Sequence, residues 1–288
     1  MKIDLELFKN TEEPAWCPGC GNFRILNGVK QALVDLEIPP HRAVVVTGIG
    51  QAAKLPHYMR VNTFNGLHGR EVAHATGVKL AAPDLTVVVN AGDGGAYGEG
   101  GNHLLHAIRR NINITLLVHD NHYYGLTKGQ LSPTAQMGTI TKVHPDGGLS
   151  LPLNPLALAI SQSCSFVAQA SAAHEEHLAQ TIAAGIRNRG FSLINVLQPC
   201  VTYDKKYTFQ YYKEHCYTLG DDWNSEDRDA AFDLSMKGNY GEEIPIGVIY
   251  RREQPTFEDV YSDGKGLSPL RDCGIDQQHT QELMKRFR

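Results

Sequence analysis

The sequence predicts an α/β fold, a parallel β-sheet with helices on both faces. Two observations carry this. Short β-branched runs alternate with stretches of helical apolar rhythm, which is the order of βαβ units. Each run is also followed at once by a glycine-rich or polar loop, as expected of strands in an open sheet whose carboxyl ends face a ligand.

The elements follow in order. Asn22 to Leu36 repeats apolar residues at Ile25, Leu26, Val29, Leu33 and Leu36, the spacing of one helix face. Ala43-Val44-Val45-Val46-Thr47 reads as a fully buried parallel strand and ends in Gly48-Ile49-Gly50. Val72 to Leu80 reads as a helix closed by Pro83. Thr86-Val87-Val88-Val89-Asn90 is a second buried strand that ends in glycines. Gly101 to Arg110 is a helix with two cations, Arg109 and Arg110, in its last turn, where the helix dipole favours them. Ile114 to Val118 is a third strand, Leu156 to Cys164 and His174 to Asn188 are helices, and Phe191 to Leu197 is a fourth strand. The carboxyl-edge loops are then Gly48 to Lys54, Gly92 to Asn102, His119 to Thr134 and Gln198 to Tyr203.

After Tyr203 the composition shifts. Tyr203 to Tyr217 is rich in Lys and Tyr, Gly220 to Asp229 is acidic, and Ile244 to Tyr250 looks like a late strand. The expected division is an α/β domain over 1–203 and a C-terminal extension over 204–288, packed on the same domain or on a partner subunit.

The 288 residues suffice for a substantial core. A net charge of -4 without a basic run argues against nucleic-acid binding. The longest apolar stretches, such as Leu85 to Val89, fall far short of the ~18 residues of a spanning helix, so no membrane association is expected. The first residues, Met1 to Glu6, lack an apolar signal core, which makes a cytoplasmic location the expectation. Six cysteines occur, at 17, 20, 164, 200, 216 and 273. Without a secretory context they do not read as a disulfide framework, and Cys17-x-x-Cys20 points to metal or redox chemistry.

The strongest chemical signal is Gly92-Asp93-Gly94 with Asn121 beyond it, each at the end of a buried strand. One carboxylate, one amide oxygen and a backbone carbonyl, completed by a diphosphate, make an oxygen site suited to Mg²⁺. The glycines let backbone approach phosphate and offer N–H donors at a helix start. Alone, Gly-Asp-Gly is an ordinary turn; the second glycine-ended strand and Asn121 give it weight.

Several further motifs fall in order along nearly the whole chain. They include Trp16-Cys17-Pro18-Gly19-Cys20-Gly21-Asn22, Gly48-Ile49-Gly50, Lys54-Leu55-Pro56-His57-Tyr58, Leu67-His68-Gly69-Arg70, Gly100-Gly101-Asn102-His103, Asp120-Asn121, Tyr124-Gly125-Leu126-Thr127-Lys128-Gly129-Gln130, Ser132-Pro133-Thr134 and Pro199-Cys200-Val201-Thr202. With them the chain resembles the β subunits of 2-oxoacid:ferredoxin oxidoreductases, which bind thiamine diphosphate. The Lys54 to Tyr58 stretch is most similar to the 2-oxoglutarate branch, with pyruvate the other substrate considered.

The resemblance implies a site. Asp93, Asn121 and the backbone carbonyl of Tyr123 would hold Mg²⁺. Gly94 and Gly95 would meet the diphosphate. Ile49, Gly50, Gln51, Ala52, His68, Gly125 and Leu126 would line the thiamine, Leu126 by packing. Lys54 is the candidate cation for a substrate carboxylate, and His68 a candidate catalytic group. The plain alternatives are a solvated lysine, a hydrogen-bonded structural histidine and a core leucine. The resemblance also implies decarboxylation, coenzyme A as acyl acceptor and ferredoxin as electron acceptor. A partner α subunit, doubled as α2β2, would supply the carboxylate that activates thiamine.

The chain departs from the pattern at one place. The family's [4Fe–4S] cluster uses four cysteines, matched here by Cys17, Cys20 and Cys200, but the third family position is Gln51. Cubane clusters take one thiolate per iron, and an amide oxygen is a poor replacement. Three readings stay open: a cluster with an unusual fourth iron, a labile three-iron cluster, or none. Cys164, Cys216 and Cys273 read as structural. A non-redox thiamine-dependent decarboxylase subunit is the rival enzyme. A zinc-binding structural protein built on the cysteines is the remote one, and zinc explains neither Asp93 nor Asn121.

Overall fold

A computed structural model describes residues 2–237, 241, 243–262 and 285. Cys273, read from sequence as structural, lies outside the described residues.

The first half of the chain lays down α1 (Asn22–Asp35), β1 (Ala43–Thr47), β2 (Asn62–Asn65), α2 (Glu71–Ala81), β3 (Thr86–Gly92), α3 (Gly101–Arg110) and β4 (Thr115–Asp120). A two-strand hairpin follows, β5 (Tyr123–Tyr124) and β6 (Gln130–Leu131). The second half adds α4 (Pro155–Ser161), β7 (Phe166–Ser171), α5 (Glu175–Arg187), β8 (Ser192–Leu197), α6 (Phe209–His215), β9 (Cys216–Thr218), α7 (Arg228–Lys237), β10 (Ile244–Arg251) and α8 (Phe257–Ser262). Eight strands form one sheet in the order β2-β1-β3-β4-β8-β7-β10-β9. Every neighbouring pair is parallel except β10 with β7. The predicted fold class is the observed one.

Period-two burial explains why helices cover both faces. In β1, Ala43 and Val45 join a core with Ile25, Val29 and Leu33 of α1 and Leu178 and Ile182 of α5. Val44 and Val46 join the opposite core, with Val72 of α2 and Leu104 and Ile108 of α3. Neither face reaches water, so the strands read as unbroken apolar runs. Helix α3 stops where Asn111 adopts a left-handed conformation (φ 51°), which Asn tolerates better than most residues. The Asn111 amide then donates to the carbonyls of Gln254 and Pro255, tying in the late part of the chain.

Three strands of the eight-stranded sheet, and the β5–β6 hairpin within the expected His119 to Thr134 loop, differ from the sequence expectation. The predicted helix Leu156 to Cys164 ends earlier, at Ser161, because Ser163 turns left-handed (φ 56°). β7 follows, where no strand was expected. Its Gln169 is fully buried and donates to the Pro245 carbonyl, so a polar residue with a dedicated partner interrupts the apolar pattern. β2 is an exposed edge strand, Asn-Thr-Phe-Asn, with no apolar alternation to announce it. β9, also unexpected, joins β10 in bringing residues after Tyr203 into the same sheet. Among the described residues, no helix is long and apolar enough to cross a membrane.

Candidate functional site

The carboxyl ends of β1, β3 and β4 lie side by side, since β1 pairs with β3 and β3 with β4. Gly92 stands opposite His119 in that register, so Asp93 and Asn121 leave adjacent strands at the same edge. There the chain encloses a cavity of ≈ 520 Å³. Ile49, Gly50, Gln51, Ala52, His68, Asp93, Gly94, Gly95, Asn121, Tyr123, Gly125 and Leu126 all line it. These are the residues assigned above to thiamine, diphosphate and Mg²⁺. Lys54 is not among the lining residues; it sits half-buried in a 3₁₀ turn, Ala52–Tyr58, that carries it past the wall. The β5–β6 hairpin supplies Tyr123, Tyr124 and, at its tip, Gly125 and Leu126.

Asp93 is held by a dense set of donors. Its Oδ1 accepts from the Gly94 N–H at 2.9 Å. Its Oδ2 accepts from the His122 N–H at 2.7 Å and the Ser132 hydroxyl at 2.7 Å. The Thr134 hydroxyl lies 3.0 Å from that oxygen and 2.6 Å from Asp120 Oδ1. One hydroxyl proton cannot serve both carboxylates at once; the Asn195 amide donates to Asp120 Oδ2, and the buried His122 ring lies 3.7 Å from Asp120 Oδ1. Burial first, and Asp120 second, push Asp93 up to about 7. A bound dication would reverse both causes. Asn121 is oriented by its own turn, its Oδ1 accepting from the Tyr123 N–H at 2.9 Å. The carboxylate, the amide oxygen and the Tyr123 carbonyl region thus fit a Mg²⁺–diphosphate pair in chemistry and place.

After Asp93 the chain makes a π-helical turn, Gly94–Glu99, a rare conformation that clusters at functional sites. A side chain at Gly94 would meet the Tyr124 ring. One at Gly48 or Gly95 would meet the carboxyl of Glu71, which is buried between the two loops. Burial raises the Glu71 carboxyl above its ordinary value. Close by, His68 Nδ1 lies 2.9 Å from the Ile49 carbonyl and Nε2 lies 3.0 Å from Glu99 Oε2. The Tyr124 hydroxyl donates to the same carboxylate at 3.2 Å.

The cysteines form a second locus. Burial raises the Cys20 thiol, with Cys200 and Cys17 adding to the effect, so the three thiols neighbour one another. Thr202 donates to Cys17 Sγ at 3.2 Å, and Gln198 to Cys20 Sγ at 3.6 Å. The Trp16 indole donates to the Gln51 carbonyl at 2.9 Å, linking this locus to the cavity wall. Gln51 Oε1 is buried with no hydrogen-bond partner. Among the described residues, no three His, Cys, Asp or Glu side chains are arranged to hold a metal ion. Three thiols and an amide oxygen do not fit a four-thiolate cubane. Cys164 is buried in the core and its thiol is pushed to about 12 by burial, the setting of an inert residue.

The sequence reading missed Glu71, Glu99, Asp120 and the roles of Ser132, Thr134 and Tyr124. Ser132 and Thr134 were visible within a motif. Glu99 reaches the cavity only through the π turn, for which no periodicity exists to be read.

Comparison with known proteins decides the family. Residues 44–196 match the C-terminal TPP binding domain of thiamine pyrophosphate enzymes, and residues 200–265 match the C-terminal region of the pyruvate ferredoxin oxidoreductase beta chain. Subunit beta of 2-oxoacid:ferredoxin oxidoreductase 1 from Aeropyrum pernix is 44% identical over 244 residues, 82% of this chain and 77% of that relative. The chain belongs to the 2-oxoacid:ferredoxin oxidoreductase β subunits. Within that family, the 2-oxoglutarate oxidoreductase subunit KorB of Mycobacterium tuberculosis is 44% identical over 193 residues, covering 67% of this chain and 52% of that one. A solved structure of 2-oxoglutarate:ferredoxin oxidoreductase from Magnetococcus marinus, with 2-oxoglutarate, coenzyme A and succinyl-CoA bound, superposes with a TM-score of 0.87 at 33% identity. The match spans 98% of this chain and 96% of that chain. The β subunits of this family are parts of thiamine-dependent enzymes that work with partner subunits.

Proposed function

We propose that this β subunit holds thiamine diphosphate and Mg²⁺ in the cavity at the ends of β1, β3 and β4, and that with an α subunit it oxidises a 2-oxoacid to its acyl-CoA and passes the electrons to ferredoxin. The observation that carries this is the convergence of Asp93, Asn121, Gly94 and Gly95 on one cavity whose far wall is Ile49 to Ala52 and Leu126. 2-Oxoglutarate is the favoured substrate because the KorB relatives and the Magnetococcus marinus enzyme are named for it; pyruvate is the alternative.

When bound, thiamine diphosphate supplies the carbon nucleophile and the electron sink for decarboxylation. The chain's residues position and balance charge. Asp93, Asn121 and the Tyr123 carbonyl would ligate Mg²⁺, with Ser132 and the His122 N–H fixing the Asp93 carboxylate. Gly95 would bring an N–H donor to the diphosphate, and Gly94, whose N–H serves Asp93 Oδ1, would let the backbone approach it. Leu126 and Ile49, both partly exposed, present apolar surface to the reacting face. Lys54 meets a carboxylate only on a substrate that extends beyond Ala52. The carboxylate that activates thiamine comes from the α subunit, in an α2β2 assembly.

A second reading, a non-redox thiamine-dependent decarboxylase subunit, is favoured by Gln51 alone, since the thiol set does not fit a four-thiolate cluster. One experiment addresses both. The α–β complex, purified without oxygen, is assayed for thiamine diphosphate, for iron and sulfide, and for 2-oxoglutarate-dependent reduction of ferredoxin with coenzyme A. Stoichiometric thiamine with ferredoxin reduction is the expected result. Aldehyde release without electron transfer would favour the decarboxylase, and no thiamine binding would overturn both.

A further inference from the structure

Among the described residues lining the cavity, His68 is the one whose side chain can carry positive charge. Both of its ring nitrogens face oxygen acceptors. Nδ1 is 2.9 Å from the Ile49 carbonyl, and Nε2 is 3.0 Å from Glu99 Oε2. A carbonyl oxygen has no proton to give, so Nδ1 must donate. With Nδ1–H fixed, a neutral ring would turn a lone pair toward the Glu99 carboxylate. A ring protonated on both nitrogens satisfies both acceptors and forms a charge-assisted bond with Glu99.

Glu99 is itself oriented. Tyr124 donates to it at 3.2 and 3.4 Å, and burial with the Glu99 charge keeps the Tyr124 phenol protonated. A side chain at Gly98 would collide with the Tyr124 hydroxyl, so the π turn and the tyrosine are fitted to each other. The other ionisable group close to His68 is Glu71 at the start of α2, whose carboxyl feels both His68 and Glu99. The His68 and Glu99 side chains remain 32% and 54% exposed and border the cavity, so an occupant can reach them.

We propose that Glu99 is a positioning residue that keeps His68 doubly protonated against the cavity wall, making His68 the proton donor to the keto oxygen of the 2-oxoacid. This rests on the reading of the cavity as the thiamine diphosphate site. The balance is simple. As the substrate's keto carbon gains a bond, its oxygen gains the negative charge of the C=O π pair. The Nε2 proton of His68 moves to that oxygen and leaves a neutral imidazole, still donating from Nδ1 to Ile49. Solvent returns the proton through the exposed edge of Glu99. The attacking nucleophile supplies the pair of the new bond, the N–H pair stays on Nε2, and no oxidant is needed.

The test uses the α–β complex and two variants. Glu99→Gln is nearly isosteric and can still accept from Tyr124, but it has no charge. Glu99→Asp keeps the charge on a shorter arm. The expected result for Glu99→Gln is a fall in kcat of about 10- to 100-fold, smaller than the ~10²- to 10⁴-fold a general acid itself contributes, because the variant keeps His68. KM for the 2-oxoacid and the thiamine diphosphate affinity stay within about threefold of the parent. Glu99→Asp should recover part of kcat with KM unchanged. The idea is overturned by a Glu99→Gln complex with parental kcat. It is equally overturned if both variants lose kcat in step with thiamine diphosphate binding, which would mark Glu99 as part of the scaffold. Failure of the parental complex to bind thiamine diphosphate would strike the site assignment instead, and the parental control reports that separately.

Discussion

The two ends of the β3–β4–β8 edge, where Asp93 follows β3 and Cys200 follows β8, are built differently. At one end Asp93 is 1% exposed and takes four close contacts from Gly94, His122, Ser132 and Thr134. At the other, Cys17 is exposed, and Cys20 and Cys200 are half-buried. The Cys17 and Cys20 thiols each accept one side-chain contact, from Thr202 and Gln198. The first end is over-determined before any ligand arrives, and it holds two neighbouring buried carboxylates whose charge His122 offsets in part and a metal cation would offset further. The second is under-determined and lacks one donor. Preorganisation is concentrated where the cofactor's charge must be matched, and the thiol locus is left to be shaped by whatever it binds.

The largest expected effect breaks the comparison at its stronger end. Asp93→Ala in the α–β complex should weaken Mg²⁺-dependent thiamine diphosphate binding at least about 100-fold, since loss even of an outer-shell partner costs 10- to 100-fold. Titration calorimetry measures this. Cys20→Ala, as the counterpart, should leave thiamine binding within about threefold of the parent. Equal losses would mean that the two ends are one cooperative unit.

A pH experiment sharpens the claim of neighbouring buried charge. Folded Asp93 keeps its proton to about 7, whereas an unfolded aspartate releases it near pH 4. Between those values the folded state binds more protons than the unfolded one. The Asp93 contribution to the stability of the metal-free chain should therefore fall as pH rises through this window, while His119, lowered to about 3 by burial, contributes the opposite slope, so the difference between the parent and Asp93→Asn isolates the carboxylate. Saturating Mg²⁺ with thiamine diphosphate should flatten or reverse that difference, because Mg²⁺ binding expels the proton. Thermal melts of both chains at pH 5 and pH 7, with and without both ligands, read the sign; a metal-free parent-minus-variant difference that rises with pH would contradict the assignment.

The smallest effect lies at the weaker end. Gln51→Cys supplies the fourth thiolate and should raise the iron retained per β subunit after anaerobic reconstitution by about one ion. Iron and sulfide assays, with the visible iron–sulfur absorption, follow this. Unchanged iron would show that the backbone at Gln51, not its side chain, keeps the locus open.

How much of this was legible in the sequence follows from the same physics. Asp93 and Asn121 could be found because each ends a strand buried on both faces, and such strands write themselves as β-branched runs. β7 could not, because Gln169 and small residues dilute its signal while Asn195 and Pro245 satisfy it in space. Glu99 could not, because a π turn has no recurrent spacing. Lys54 was placed in the right loop, but a 3₁₀ turn carrying Pro56 takes it past the cavity wall. Motif order along the chain carried the family assignment; side-chain direction in irregular turns needed coordinates.

Gln51 is a party wall. Its carbonyl is tied to Trp16, the residue before Cys17, while its side chain packs on Gly125 at the tip of the hairpin that closes the cavity. Any rearrangement of the thiol segment is therefore felt by the hairpin within one residue's width. A change of oxidation or occupancy at the cysteines would have to pass through this one residue, and the near-parental thiamine binding expected of Cys20→Ala sets how little of it reaches the other side.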